Sequence, residues 1–173
     1  MKDRHDFNQG GESISDEMEI ELGGIGFSAA HFVIGHTKCE HLHGHNWSIK
    51  VVVDGYEDER GLIVDFIELK KILADICAGF DHHLLLPTNN PSLKVVKKAG
   101  TTEVHVHGRR YEFPDEDIVW VPAINITVEE LARVIAEKLK ETLKKYENVY
   151  RITVEAEEAK GESARATVEL RRT

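Results

Sequence analysis

Three histidines, one cysteine and an Asp-His pair are the residues of this chain best suited to chemistry. His43 and His45 lie two apart where a strand is predicted to begin, so both rings can point to one face. His31 ends the preceding predicted strand, and a hairpin would bring it alongside. Three imidazoles leave one corner of a zinc tetrahedron open, the pattern of a catalytic rather than a structural site. His36 and His41 share the same segment, and either could replace one of the three. Cys39 also lies there and has two readings. It is the fourth ligand of a closed structural site, or a thiol beside a dication and imidazoles, where the thiolate is favoured and can act as a base.

Asp81 and His82 directly follow a predicted helix. A carboxylate on an imidazole fixes its tautomer and raises its basicity, which makes a proton relay. Adjacent side chains rarely face each other, however, and Asp81 can equally serve the loop at the helix end. Cys77 falls on the apolar stripe of that helix and reads as packing. His105 and His107 share a strand face without a third ligand nearby and read as sheet-surface residues.

These residues need a scaffold of strands and two helices. Met18, Ile20 and Leu22 alternate with acidic residues as in a half-buried strand, and Gly23, Gly24 and Gly26 suggest a bulge or a close backbone approach. A loop, VIGHTKCEHLHG, leads to a second strand ending near Asp54-Gly55. DFIELKKILADICAGF sets Phe66, Leu69, Ile72, Leu73, Ile76 and Phe80 at helical spacing, with Asp65 as N-cap and Glu68 completing a capping box. DHHLLLPTNNPSL reads as a loop, and TTEVHVHGRRYEFPDEDIVWVP as a β-hairpin or two short strands turning near Gly108-Arg109. A second helix follows Thr127, a suitable N-cap, with Leu131, Val134, Ile135, Leu139 and Leu143 in one stripe. Two strands around Gly161 close the chain, and the order hints at a repeated ββα theme. The fold class expected is α+β, an antiparallel sheet backed by two helices. Residues 1–17 lack periodicity and are expected to be a flexible tail before a single domain, 18–173.

With 173 residues the chain can bury a sizeable core, and its net charge of −9 carries no basic stripe for a nucleic acid. No apolar run approaches the roughly 18 residues that cross a bilayer, so no membrane partner is expected. The N-terminal residues lack the apolar core of a signal peptide, and two cysteines do not make a disulfide framework. A cytoplasmic protein is expected.

FSAAH (27–31), CEHLHGHN (39–46), GLIVDFIELK (61–70), FDHH (80–83) and NITVEELA (125–132) together resemble the 6-pyruvoyl-tetrahydropterin synthase family, which includes the 6-carboxytetrahydropterin synthases of queuosine biosynthesis. Their order and approximate spacing match from residue 18 to the end. The resemblance implies zinc on His31, His43 and His45, and proton transfers by Cys39, Asp81 and His82. It implies trimers whose sheets join into a barrel, two trimers stacking into a homohexamer, and active sites at subunit interfaces. The implied substrate is 7,8-dihydroneopterin triphosphate, converted without nicotinamide or flavin to a 6-pyruvoyl or 6-carboxy tetrahydropterin. Thr127 matches the family's threonine before the second helix and would contact the pterin.

The family also grips the pterin with a glutamate of a late strand, in the pattern V-x-V-x-E-T. Here that strand reads RITVEAEEAKG, without the threonine. Glu158 is in phase with the inward residues Ile152, Val154 and Ala156, and Glu157 would point the other way unless a bulge intervenes. A related activity, side-chain cleavage to 6-hydroxymethyl-dihydropterin, goes with a glutamate near the cysteine position, and Glu40 follows Cys39 directly. Glu40 reads equally as an exposed loop acid. A segment around 94–118 is an insertion that would reshape the mouth of the pocket. From another class, a zinc- or pterin-binding protein without turnover remains open, although such a site would not require Cys39.

Overall fold

The computed structural model describes residues 17–170. Strand β1 (Met18–His31) and strand β2 (His43–Gly55) form a long antiparallel hairpin, registered so that Met18 faces Gly55 and His31 faces His43. Helix α1 (Phe66–Ala78) follows, then β3 (His83–Pro87). A separate three-stranded sheet comprises β4 (Lys94–Lys98), β5 (Thr101–Val106) and β6 (Arg109–Pro114). Strand β7 (Ile118–Val121), helix α2 (Val128–Leu143) and the hairpin of β8 (Val149–Ala159) and β9 (Glu162–Glu169) complete the chain. The main sheet has the order β7-β3-β1-β2-β8-β9, with edge strands β7 and β9. The sheet does not close into a barrel within one chain. Among the described residues no helix is long and apolar enough to cross a membrane.

The α+β class with two helices holds, but the sheet is mixed. Strand β3 runs parallel to both β1 and β7, whereas β1, β2, β8 and β9 are antiparallel. The sequence reading placed a loop at β3. Leu84, Leu85 and Leu86 are all buried, so this strand lacks the alternation that betrays a half-exposed one. The segment expected as one hairpin contributes β5 and β6 to the small sheet and β7 to the main one. Its turn sits at His107 and Gly108, with φ of 45° and 79°, the left-handed pair that a tight hairpin turn requires. The expected tail lies outside the described residues except Glu17, which accepts a hydrogen bond from Tyr56 Oη.

Both helices cap as read. The Asp65 carboxylate accepts the Ile67 N–H at 2.7 Å, and Thr127 Oγ1 accepts the Glu130 N–H at 3.4 Å. Glu68 does not act in a capping box; its carboxylate pairs with Lys145. The α2 stripe Leu131, Val134, Ile135, Leu139 and Leu143 is buried, as are Leu69, Leu73 and Cys77 of α1. Phe66 departs from the expected stripe, because this first helical residue lies in a surface hollow with Met18, Ile20 and Leu62. A second apolar cluster joins the small sheet to the end of β1, with Phe32, Ile34, Leu86, Val104 and Val106 at its centre.

The glycine run of β1 serves both purposes suggested for it. The register with β2 shifts between Leu22 and Ile25, with Gly24 at a φ of 78°. At Gly26 the backbones approach so closely that a Cβ would lie 2.0 Å from the Trp47 carbonyl oxygen. Gly26→Ala is therefore expected to lower stability by on the order of 3 kcal/mol, while Gly23→Ala, with open space at its Cβ, shifts it little. Denaturant unfolding of the two variants reads the difference.

Candidate metal centre and active site

The β1–β2 register builds the histidine cluster. His31 faces His43 and Ala29 faces His45, and alternation along β2 sets His43, His45 and the buried Trp47 on one side. The rings of His31 and His43 lie 4.4 Å apart between centroids, and His45 is 5.2 Å and 5.1 Å from them. One nitrogen from each of the three lies within 4.8 Å of the others, so the group can hold a metal ion.

Hydrogen bonds orient these rings. His31 Nδ1 sits 2.8 Å from the Ile126 carbonyl oxygen, which can only accept, so Nδ1 carries the proton and Nε2 keeps its lone pair. That Nε2 is buried and has no protein partner. His43 Nδ1 is likewise 2.6 Å from the His41 carbonyl, freeing its Nε2. Burial lowers the pKa of His31 to about 4, helped by His43 and His45 and opposed by the Ile126 carbonyl. A buried neutral imidazole with an unpartnered Nε2 fits a metal-binding role, since a backbone carbonyl commonly orients such a ligand. His41 supplies a carbonyl rather than its ring. The His36 ring accepts the Cys39 N–H at 3.4 Å. Cys39 is outside the group, so the closed four-ligand site is not formed.

Cys39 is a half-buried free thiol in the loop between β1 and β2. Val33 N–H bonds its carbonyl at 2.8 Å, and Glu40 N–H bonds the His36 carbonyl at 2.9 Å. Cys77 is packed as expected, its thiol pushed up to about 12 by burial and then by the Asp81 charge.

Adjacency did not keep Asp81 and His82 apart. His82 takes a φ of 59°, which folds its ring back so that Nδ1 lies 2.8 Å from Asp81 Oδ2. Asp81 Oδ1 accepts the Ser28 N–H at 2.7 Å, so the pair is moored to β1. The Ser28 N–H and then His82 hold the Asp81 carboxyl below its ordinary range. His82 and His45 border one cavity of about 570 Å³, which Phe113 of β6 and Asp117 also line. A larger cavity, about 780 Å³ between α1, α2 and β7, contains neither histidine nor cysteine.

Thr127 is placed as the α2 cap. At the late strand the β8–β9 register shifts only after Glu157, between it and Ala159, so Glu157 keeps its regular pairing with Ser163 and points opposite to Ala156. Glu157 accepts the Gly161 N–H of the hairpin turn at 2.9 Å, and Glu158 lies at the register shift itself. Glu40 is not an exposed loop acid. Its side chain is 15% exposed and meets His107 Nδ1 and Arg109 Nη1 at the β5–β6 turn.

Sequence reasoning missed Asn125. Its carboxamide accepts the Ile34 N–H at 2.9 Å and donates to the Ile34 carbonyl at 3.1 Å, next to the Ile126 carbonyl that orients His31. An asparagine just before a helix cap offers no signal for so distant a partner.

A family model, 6-pyruvoyl tetrahydropterin synthase, matches residues 24–169. The chain belongs to this family. A Methanocaldococcus jannaschii protein provisionally named 6-carboxy-5,6,7,8-tetrahydropterin synthase is 32% identical over 156 residues, spanning 85% of this chain and 94% of that one. The 6-pyruvoyltetrahydropterin synthase of Plasmodium vivax superposes with a TM-score of 0.83 at 25% identity, over 89% of this chain and 99% of the other. Dihydroneopterin monophosphate aldolase of Pyrococcus furiosus is 41% identical over 59 residues, spanning 34% of this chain and 50% of its own.

Two outcomes follow. In metal-free protein the folded state resists protonating His31, so stability present above pH 6.5 is lost as pH falls towards 4. The loss is on the order of 3 kcal/mol, and in denaturant unfolding it should be smaller in His31→Gln. Asn125→Asp keeps the size but loses the donor to Ile34, and should weaken metal affinity by about 10-fold or more in a chelator competition.

Proposed function

We propose that the chain is a zinc-dependent lyase acting on 7,8-dihydroneopterin triphosphate, releasing triphosphate and forming a 6-pyruvoyl tetrahydropterin or, with loss of acetaldehyde as well, a 6-carboxy tetrahydropterin. The observation that carries this reading is the three-imidazole group with Nε2 of His31 buried, unpartnered and neutral. Membership of the family supplies the substrate class.

His31, His43 and His45 would hold the zinc ion, which when bound supplies Lewis acidity towards the hydroxyl oxygens of the substrate side chain. Cys39 accepts a proton from a side-chain carbon or hydroxyl. His82, held at Nδ1 by Asp81, exchanges protons at Nε2 during the tautomerisation that accompanies triphosphate loss. Glu158 would accept two N–H bonds from the guanidine-like edge of the pterin, a pairing that suits a carboxylate. Thr127 would add a contact at the start of α2. The unpaired edges of β7 and β9 suit closure of the sheets into a trimeric barrel, with two trimers stacking as a hexamer and sites at subunit interfaces. Two free cysteines suit a reducing cytoplasm, and residues 18–173 would form the working domain.

Side-chain cleavage to 6-hydroxymethyl-dihydropterin is the second reading. Glu40 beside Cys39 favours it, as does the likeness to an aldolase of Pyrococcus furiosus. One Plasmodium vivax structure carries cysteine in place of a glutamate described as catalytic in that enzyme. Against this reading, the Glu40 carboxylate is already held by His107 and Arg109.

Mass spectrometry of products from dihydroneopterin triphosphate separates the readings, the non-catalytic one included. Triphosphate release with a 6-pyruvoyl or 6-carboxy product is expected, 6-hydroxymethyl-dihydropterin without free triphosphate would favour the second reading, and zinc-loaded protein that converts no substrate would overturn the enzyme reading. Cys39→Ala should keep zinc and lose on the order of 10²- to 10⁴-fold in turnover, whereas His43→Ala should lose the metal.

A further inference from the structure

We propose that the three-stranded insertion is a clasp on the Cys39 loop, with His107 and Arg109 as positioning residues that act through Glu40. The inference rests on the reading of Cys39 as the reactive base.

The loop from Phe32 to Leu42 carries the thiol between two strand ends. Its own backbone bonds join Val33 to Cys39 and His36 to Glu40, and a loop held only by such bonds opens easily. The Glu40 carboxylate gathers further contacts. Its Oε1 accepts the Gly35 N–H at 3.1 Å and meets His107 Nδ1. Arg109 Nη1 donates to Oε2 at 3.3 Å and to the Glu40 carbonyl at 2.7 Å. One side chain thereby ties two points of the loop to the β5–β6 turn. Nearer β1, the buried Phe32 stacks on Tyr111 of β6 at 5.7 Å. The residue next to Cys39 is thus fixed from outside the loop, and Cys39 is fixed with it.

The insertion is itself stiff enough to serve. Glu103 of β5 bonds Lys98 of β4 and Arg110 of β6, so one acid on the central strand is tied to a base on each neighbour. Thr102 bonds Asp115 just beyond β6. This arrangement also bears on Glu40 as a second acid–base group. The Gly35 N–H and then the His107 hydrogen bond, with the Arg109 charge a smaller aid, hold the Glu40 carboxyl below its ordinary range, which makes it a poor proton acceptor.

The positive φ at His107 allows a clean test. Glycine and asparagine both tolerate that backbone, but only asparagine keeps a side-chain donor. Cys77 is buried, so alkylation of the folded, zinc-loaded protein by iodoacetamide, followed by peptide mass spectrometry, reads Cys39 separately from an unreactive thiol. His107→Gly and Arg109→Met are expected to raise the Cys39 alkylation rate by on the order of 10-fold, through easier loop opening. Zinc content should stay unchanged, because His31 is anchored separately on Ile126. With dihydroneopterin triphosphate, kcat should fall about 10-fold at little-changed KM, and His107→Asn should restore both readouts. Equal alkylation rates in wild type, His107→Gly and Arg109→Met would overturn the clasp. Faster alkylation with kcat intact would uphold the clasp and remove Cys39 from the base role.

Discussion

The site depends on one hydrogen bond, from His31 Nδ1 to the Ile126 carbonyl. A fully buried imidazole must remain neutral and needs a place for its one N–H. Satisfying Nδ1 with a carbonyl leaves Nε2 as a buried lone pair, with His43 and His45 around it. Such an orphan costs stability in the absence of a ligand and becomes an asset once a cation accepts it. The bond also spans the fold, joining the end of β1 to the segment that opens α2. The packing of α2 on the sheet and the position of His31 are therefore one problem, solved by the same turn.

Asn125 extends that constraint. By bonding both backbone groups of Ile34 it imitates a strand partner for the chain leaving β1. Beyond Ile34 the loop passes to the insertion, whose apolar cluster includes Phe32 and Ile34 and whose turn holds Glu40. Metal-ligand geometry and thiol placement thus draw on different supports. The first comes from the start of α2, and the second in large part from the insertion.

Much of the site was legible because its signals are local. His43 and His45 show a two-residue period, His31 ends a strand, and the α2 stripe repeats with the helix. Fold class was readable for the same reason, but β3 was hidden because Leu84–Leu86 is buried throughout and shows no alternation. The pairing of Asp81 with His82 depends on a left-handed backbone at His82, which residue type alone did not reveal. Glu40 shows the limit most clearly. Residue type and neighbours allow a loop acid or a catalyst, and only its contact with a turn near residue 107 changes the choice. The β8 register shift after Glu157 likewise breaks the alternation used to orient Glu158.

The separate chemical groups share β1 as a common reference. His31 is its last residue, the Cys39 loop continues from it, and Asp81 is bonded to the backbone of Ser28 within it. Strand β2, which bears His43 and His45, is set against β1 by a ladder in which Gly26 permits close contact at Trp47. A small displacement of β1 would consequently move His31, the Asp81–His82 pair and the Cys39 loop together, whereas the small sheet bears on the Cys39 loop through Glu40 and Phe32. Alteration of the Glu40 contacts would therefore act on the loop that carries Cys39, while the bond to Ile126 anchors His31 separately.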